Sequence, residues 1–452
     1  MANKRKRKNN KKVVVKLPIW ALLVLIVVGA IVFVIYYLFI YEKDKEEVIE
    51  SESYEVITGE DGCLENMKFD DFQIHFLELG NDKAGDSIYI KAGNNDILID
   101  AGSRSESAVV INEYISNYCD DGILEYVIAT HNHQDHIAGF AGKGITKYKN
   151  YKGESISKSG VFYYYDVLNL IDFTYAEVTI DKKAVTFVNK DQKSEDFGSG
   201  IEYGKYLAAR ENLIERGTNY KTAKDLWDSN NTTIDLGNNI SMDILYNYYY
   251  FNESKDVNNY SVCTMFNYNS HHFMLTGDLE KDGETKLAEY YDGSTKEKTL
   301  PHVDLFKAGH HGSKTSSNDV LLSKITPSCC VCCCCAGSTE YSFNNDAIFP
   351  TQDFIDRIAK YTDRVYVTSL YDKINNTNIS FNGNVIVSSD GNDYALFASN
   401  NLTKLKDTEW FNEDIYLVDG KVYDNTNKKF YDETYENAIK TKQRIWPSYG
   451  RW

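Results

Sequence analysis

From about Met67 the chain breaks into short apolar runs separated by Gly, Asn and Asp, each run about the length of a strand. FQIHFLEL, SIYIKAG, DILIDAG and LEYVIATH follow one another as strand candidates, with SAVVINEYISNY placed between the last two as a helix by its apolar spacing. The stretch 141–235 is rich in Tyr and Lys, holds the helix candidate YGKYLAARENLIERG, and reads as an excursion from the core. Strands return in NISMDILYNYYYF, YSVCTMFNY, HHFMLTGD and HVDLFKAG, followed by a run of cysteines, the helix TQDFIDRIAKY and the strand RVYVTSL. Strands and helices mixed in this order predict an α/β layered fold. The last segment, 410–452, is polar and aromatic and is assigned no role.

The N-terminal pattern is different. Residues 1–16 carry eight Lys or Arg and no acid, so the total charge of −17 becomes −25 over the rest of the chain. Residues 17–41 contain no charged side chain and are apolar on every face, which predicts a single transmembrane helix preceding the α/β domain. A cleaved signal peptide would have a shorter apolar region, about 7–15 residues, ending at a small-residue site. Here the run ends in YYLFIYEKDKEE, so an uncleaved anchor is expected: a single-pass cell-membrane protein, its basic tail cytoplasmic and everything after Glu42 extracellular. The acidic segment 42–66 reads as a solvated stalk. A surface this acidic repels polyphosphates unless a local patch or a bound metal reverses the field, which disfavours broad nucleic-acid binding.

Five of the nine histidines fall in two strings, each directly after a strand candidate. THNHQDHIAG supplies His131, His133, Asp135 and His136; AGHHGSKTSS supplies His310 and His311. Imidazole and carboxylate are the ligands of zinc and its harder relatives, and loops at strand ends let side chains from several strands converge. The alternate residues His131 and His133 would reach one ion while Asp135 and His136 turn toward a second. His75, His271, His272 and His302 lack such company and are expected to be structural.

THNHQDH matches the HxHxDH signature of metallo-β-lactamase-fold hydrolases, and the chain resembles, more narrowly, the hydrolase domain of ComEC-type competence proteins. LELGNDKAGDSIYI, ILIDAG, FMLTGDLE and FKAGHHGSKTSS carry the resemblance in order, over roughly 68–400. It implies an α/β metallo-β-lactamase-like αββα sandwich over 67–409 and one or two divalent ions, zinc first and manganese second. It further implies that His131 and His133 bind the first ion and Asp135 and His136 the second, that Asp278 bridges them, and that one of His310 and His311 closes the second site. Asp100 would hold the HxHxDH loop without touching metal. Asp135 and Asp278 would orient a metal-bound hydroxide as the catalytic pair. Many members place a further histidine between the HxHxDH loop and the bridging Asp, and this chain has none from 137 to 270.

The cysteine run SCCVCCCCAGS is expected to be a buried core strand. Cysteine packs as a small hydrophobe, and same-face residues of a strand lie about 6.6 Å apart, too far for shared metal ligation. A redox-sensitive or metal-scavenging cluster is the alternative reading. After the second histidine string, Ser313, Lys314 and Ser316 would hold a phosphate if they open a helix; an ordinary cap is the alternative. The expected function is a metal-dependent phosphodiesterase acting on a phosphodiester substrate, with nucleic acid disfavoured by charge. The alternatives are a carboxylic ester or lactone hydrolase and a catalytically idle binding or sensor domain of the same fold.

Overall fold

The computed structural model describes residues 53–57, 71–142, 148–149, 155–156, 160–198, 200–339, 344–422 and 438–448. Among these, two large sheets dominate. The first runs, in spatial order, Ser53–Ile57, Tyr394–Ala398, Val385–Ser389, Phe72–Phe76, Ile88–Ala92, Asn95–Ile99, Ile123–Ile128, Asp166–Asp172, Asn219–Thr222. The second runs Thr233–Gly237, Ile240–Ile244, Thr264–Tyr268, His271–Leu275, Leu305–Lys307, Cys329–Ala336, Val365–Asp372, Thr377–Ser380. Both are parallel where helices intervene between strands and antiparallel elsewhere, the second sheet at both edges.

The inner faces share one core, in which the Phe72 ring of the first sheet lies 6.0 Å from Phe266 and 5.1 Å from Phe273 of the second. The first sheet's outer face is covered by the helices Ser107–Ile115, Gln134–Ala141 and Glu202–Glu215, through Ile111, Ile115, Phe140 and Tyr206. The second sheet's is covered by Lys281–Tyr290, Asp319–Ile325 and Gln352–Ile358, through Leu287, Leu321 and Phe354. The cysteine strand shows why its sequence is apolar throughout. Cys329, Val331 and Cys333 face the inter-sheet core, while Cys330, Cys332 and Cys334 face the helices, and every residue from Cys329 to Ala336 is buried. None of its thiols is in a disulfide.

Several expectations change. The predicted anchor, 17–41, lies outside the described residues, as does the basic tail. No helix among those described is long and apolar enough to cross a membrane. The longest, Glu202–Glu215, has 14 residues and spans about 21 Å against a hydrocarbon core of about 30 Å. The described residues form the α/β sandwich with no transmembrane helix among them, and the single-pass cell-membrane location is not carried forward. Within the predicted stalk, Ser53–Ile57 is a strand paired antiparallel to Tyr394–Ala398. Its SYEVI pattern alternates and is rich in strand formers, which offsets the acidic composition around it. The segment 141–235 is no excursion either: Asp166–Asp172 and Asn219–Thr222 extend the first sheet in parallel. The C-terminal segment also carries a small sheet, with Asp414–Val418 paired to Ile439–Lys442.

Candidate active site

The two parallel halves end at the same edge of the sandwich, so loops leaving Asn95–Ile99, Ile123–Ile128, His271–Leu275 and Leu305–Lys307 meet there. The first of these loops turns at Asp100, whose φ is +58°, a left-handed conformation that Asp tolerates. The turn aims the carboxylate at the second loop, where it accepts from Thr130 N at 2.8 Å and Thr130 Oγ1 at 2.7 Å and from His136 Nδ1 at 2.7 Å. Gly139 permits the close approach: a Cβ there would stand 2.0 Å from Ala101 O, to which Gly139 N donates at 2.9 Å.

With Nδ1 of His136 committed to Asp100, its Nε2 faces Asp278 Oδ2 at 3.1 Å. His311 Nε2 lies 3.4 Å from the same oxygen and 3.3 Å from Asp135 Oδ2. One ligand atom each from Asp135, His136, Asp278 and His311 lies within 4.8 Å of all the others. Of these atoms, His136 Nε2, Asp278 Oδ2 and His311 Nε2 are buried and make no hydrogen bond. Buried nitrogen and carboxylate lone pairs turned toward one point are the donor set of a divalent cation, so the residues fit a metal. His131 and His133 stand beside this group, His131 Nε2 at 3.0 Å from His133 Nδ1. His310 is more peripheral, with Nε2 at 3.8 Å from Asp278 Oδ2 and Nδ1 at 3.3 Å from Glu280 Oε1. Between the two histidines the structure therefore places His311 in the convergent cluster. Both hold positive φ, +47° and +54°, which keeps the two rings at the strand end at a cost of about 1–2 kcal/mol each.

Burial lowers the pKa of His131 well below the usual value, helped by His136 and His133, and lowers that of His133 too. Burial opposes charge on His136 and His311 as well, but Asp278 with Asp100 for the first, and Asp278 with Asp86 for the second, hold them well above it. Burial disfavours the carboxylate charge of Asp135 and Asp278, yet the surrounding histidines, joined by Lys307 at Asp278, keep both ionised.

The sequence motifs did not point to several members of this site. Lys307 is fully buried, ion-paired to Asp86, 3.4 Å from Asp278 Oδ1, and donates to Gly277 O at 2.9 Å. Asp86 also faces His311 Nδ1 at 3.2 Å. A lysine inside the apolar run VDLFKAG was the available signal. The cysteine strand contributes too, since His311 Nδ1 donates to Cys333 O at 3.1 Å. That carbonyl lies where the pairing with Val365–Asp372 shifts register between Cys332 and Cys335, a bulge that frees a backbone group from the ladder. Asn132, between His131 and His133, ties the site to the hairpin Tyr175–Ile180/Lys183–Val188: its side chain donates to Glu177 O at 2.7 Å and accepts from Glu177 N at 3.1 Å.

Beside the cluster opens a cavity of about 720 Å³, lined by His133, Asp135, His310, Ser313 and Lys314 among others. Ser316 is not on it; it is buried, its hydroxyl 3.5 Å from Asp278 O. The segment of Ser313, Lys314 and Ser316 opens no helix, because Asp319–Ile325 begins beyond it and the Arg357 guanidinium binds its carbonyls. The four histidines expected to be structural stand in none of the His, Cys, Asp and Glu groups able to hold a metal among the described residues. His75 bonds Tyr114 Oη at 2.7 Å, His271 faces Asp304 at 3.1 Å, His272 bonds Asn267, and His302 bonds Thr326 and Ser328.

A family model described as the metallo-beta-lactamase superfamily matches residues 80–149, the span holding Asp86, Asp100 and the whole His131–His136 string. Over that span the chain is similar to the metallo-beta-lactamase superfamily. It is similar to Recombination protein 2 of Haemophilus influenzae, at 41% identity over 54 residues. That match covers 12% of this chain and 6% of that protein. Among solved structures, it is similar to the metallo-beta-lactamase fold protein YhfI from Bacillus subtilis, at 12% identity over 66% of this chain and 96% of that one, TM-score 0.33. A probable metal-dependent hydrolase from Staphylococcus aureus is similar at 14% identity over 47% of this chain and 74% of that one, TM-score 0.27. Likenesses this distant carry nothing about substrate.

The bond from Asp100 to His136 Nδ1 can be tested directly. Asp100→Asn is expected to weaken metal affinity by about 10–100-fold, the usual effect of removing a carboxylate behind a ligating imidazole. Competition with a chromogenic chelator measures it; an affinity within twofold of wild type would show that His136 needs no such partner.

Proposed function

We propose that the protein is a phosphodiesterase. The observation that carries this reading is the charge of the cavity: Lys83, Arg104 and Lys314 line it, in a chain of net charge −17. Cations gathered at one opening of an otherwise acidic surface attract and position an anionic substrate. In this reading Asp135, His136, Asp278 and His311 would hold one ion, and His131 and His133 would serve a second; zinc is the first choice for such nitrogen and carboxylate donors, manganese the second. Divalent metal supplies activation of water and neutralisation of charge on the attacked phosphate. The chain's own part is positioning. Asp135 and Asp278, held ionised, accept the hydrogens of the attacking water and fix its direction, while Lys314 and Ser313 receive the phosphate oxygens. Asp100 keeps His136 in the tautomer that leaves Nε2 toward Asp278.

The short match to a recombination protein makes a nucleic-acid phosphodiester one substrate to try, and the overall acidity favours smaller ones. Ala347 and Phe349 give the cavity an apolar side, which keeps a carboxylic ester or lactone as the second reading. The test is hydrolysis of bis-p-nitrophenyl phosphate with zinc or manganese, beside His133→Ala and Arg104→Met. Metal-dependent turnover that His133→Ala abolishes, with KM raised about tenfold in Arg104→Met from loss of one charge-assisted contact, is the expected result. Turnover of p-nitrophenyl butyrate instead would select the ester reading. Stoichiometric metal with no turnover of either would select a binding domain.

A further inference from the structure

The C-terminal segment has no part in the reading above, yet its most buried charge reaches the cavity wall. Arg444 is 3% exposed. Its guanidinium donates to Pro350 O at 2.8 Å, Ile348 O at 2.7 Å, Asn345 O at 3.1 Å and Gln443 O at 2.7 Å. No carboxylate among the described residues bonds it. Its other face lies over the Trp410 ring, 5.2 Å from the centroid. The neighbours of Arg444 reinforce the connection: Gln443 Nε2 donates to Asn345 Oδ1 at 3.2 Å, and Ile445 N donates to Gln352 Oε1 at 2.9 Å. The segment gripped in this way, 345–351, is part of the cavity. It carries Ala347, Phe349 and Thr351 on the lining, and the Phe349 ring lies 5.7 Å from that of His310 and 6.1 Å from that of His311. At its far end Thr351 N donates at 2.9 Å to Gly312 O, one residue beyond the histidine pair. The guanidinium satisfies four backbone carbonyls, of which that of Asn345 also accepts from Ile348 N at 3.3 Å.

We infer that Arg444 is a positioning residue: through the carbonyls of Asn345, Ile348 and Pro350 it holds Phe349 beside His310 and His311, and so makes the C-terminal segment part of the substrate wall. The wall it sets is the apolar side of the cavity, facing the cations that receive the anionic group. The substrate then has an apolar or aromatic group next to the bond that is broken. The position of the wall does not depend on which ester is hydrolysed; the choice of a phosphodiester for the kinetic arm rests on the function proposed above.

The test compares the full-length chain with Arg444→Ala, Phe349→Ala and the double variant. Amide hydrogen exchange at 345–351 is expected to rise at least about tenfold in Arg444→Ala, because three buried carbonyls lose a donor there. The rate at which diethyl pyrocarbonate modifies His310 is expected to rise in both single variants and no further in the double, with the exposed His302 as internal reference. KM for bis-p-nitrophenyl phosphate, or for p-nitrophenyl butyrate if only that is hydrolysed, should rise with kcat within twofold. Unchanged exchange at 345–351, or His310 and His302 reacting faster by the same factor, overturns the inference whatever the enzyme hydrolyses. A fall in kcat as large as the rise in KM overturns it as well, since that would place the effect on the chemistry and not on the wall.

Discussion

Asp278→Asn is expected to reduce turnover by about 10³-fold or more, equivalent to about 4 kcal/mol of lost transition-state stabilisation. Oδ2 of Asp278 is the atom on which the site converges, 3.1 Å from His136 Nε2 and 3.4 Å from His311 Nε2. An amide there removes a charge from a group with several cations around it, and it offers an N–H or a weak acceptor where a carboxylate oxygen stood. Metal content measured by atomic emission should fall together with activity. A variant that keeps its metal and more than a tenth of wild-type kcat/KM would show that Asp278 neither bridges ions nor orients the nucleophile.

Lys307→Met should be the most destabilising single change near the site, at about 3–5 kcal/mol, the usual effect of removing one partner from a buried ion pair. The side chain is fully buried between Asp86 and Asp278, and Met fills its volume, so the loss is electrostatic and not a cavity. Urea unfolding of wild type, Lys307→Met, Asp86→Asn and the double variant measures it. The double should lose less than the sum of the singles, because removing both charges leaves none unpaired. Saturating zinc should return part of the loss, since a divalent cation beside Asp278 replaces some of the missing positive charge and binds only the folded chain. An equal loss with and without metal would mean that Lys307 and the metal do not share Asp278.

Much of this architecture was legible because period-2 apolar runs and ligand-bearing strand ends are local signals. ILIDAG, THNHQDH, LTGD and AGHHGS each sit in a single stretch of chain, and the structure brings all four to one edge. The Lys307–Asp86 pair was not legible, because Asp86 lies on a loop of the first sheet while Lys307 ends a strand of the second, and only the fold brings them together. The strands Asp166–Asp172 and Asn219–Thr222 were hidden by composition: Tyr and Lys dominate their surroundings, while their parallel pairing, the first to Ile123–Ile128 and the second to the first, is a long-range fact. Ser316 shows the opposite error. Ser313 and Lys314 line the cavity, but at Ser316 the chain has turned inward, and its hydroxyl ends up behind the site.

Consider finally the carbonyl of Cys333, released from the ladder by the bulge and bound by His311 Nδ1. A backbone oxygen is indifferent to the side chain that follows it. The sulfur in this strand is therefore interchangeable with any apolar group of similar volume, and what must be preserved is the extra residue that makes the bulge. A substitution of Cys333 by Val would leave the imidazole oriented, whereas deleting a single residue between Cys332 and Cys335 would restore a regular ladder and take away the bond that aims it. The chain can drift freely in chemistry along this strand while its length stays under tight control.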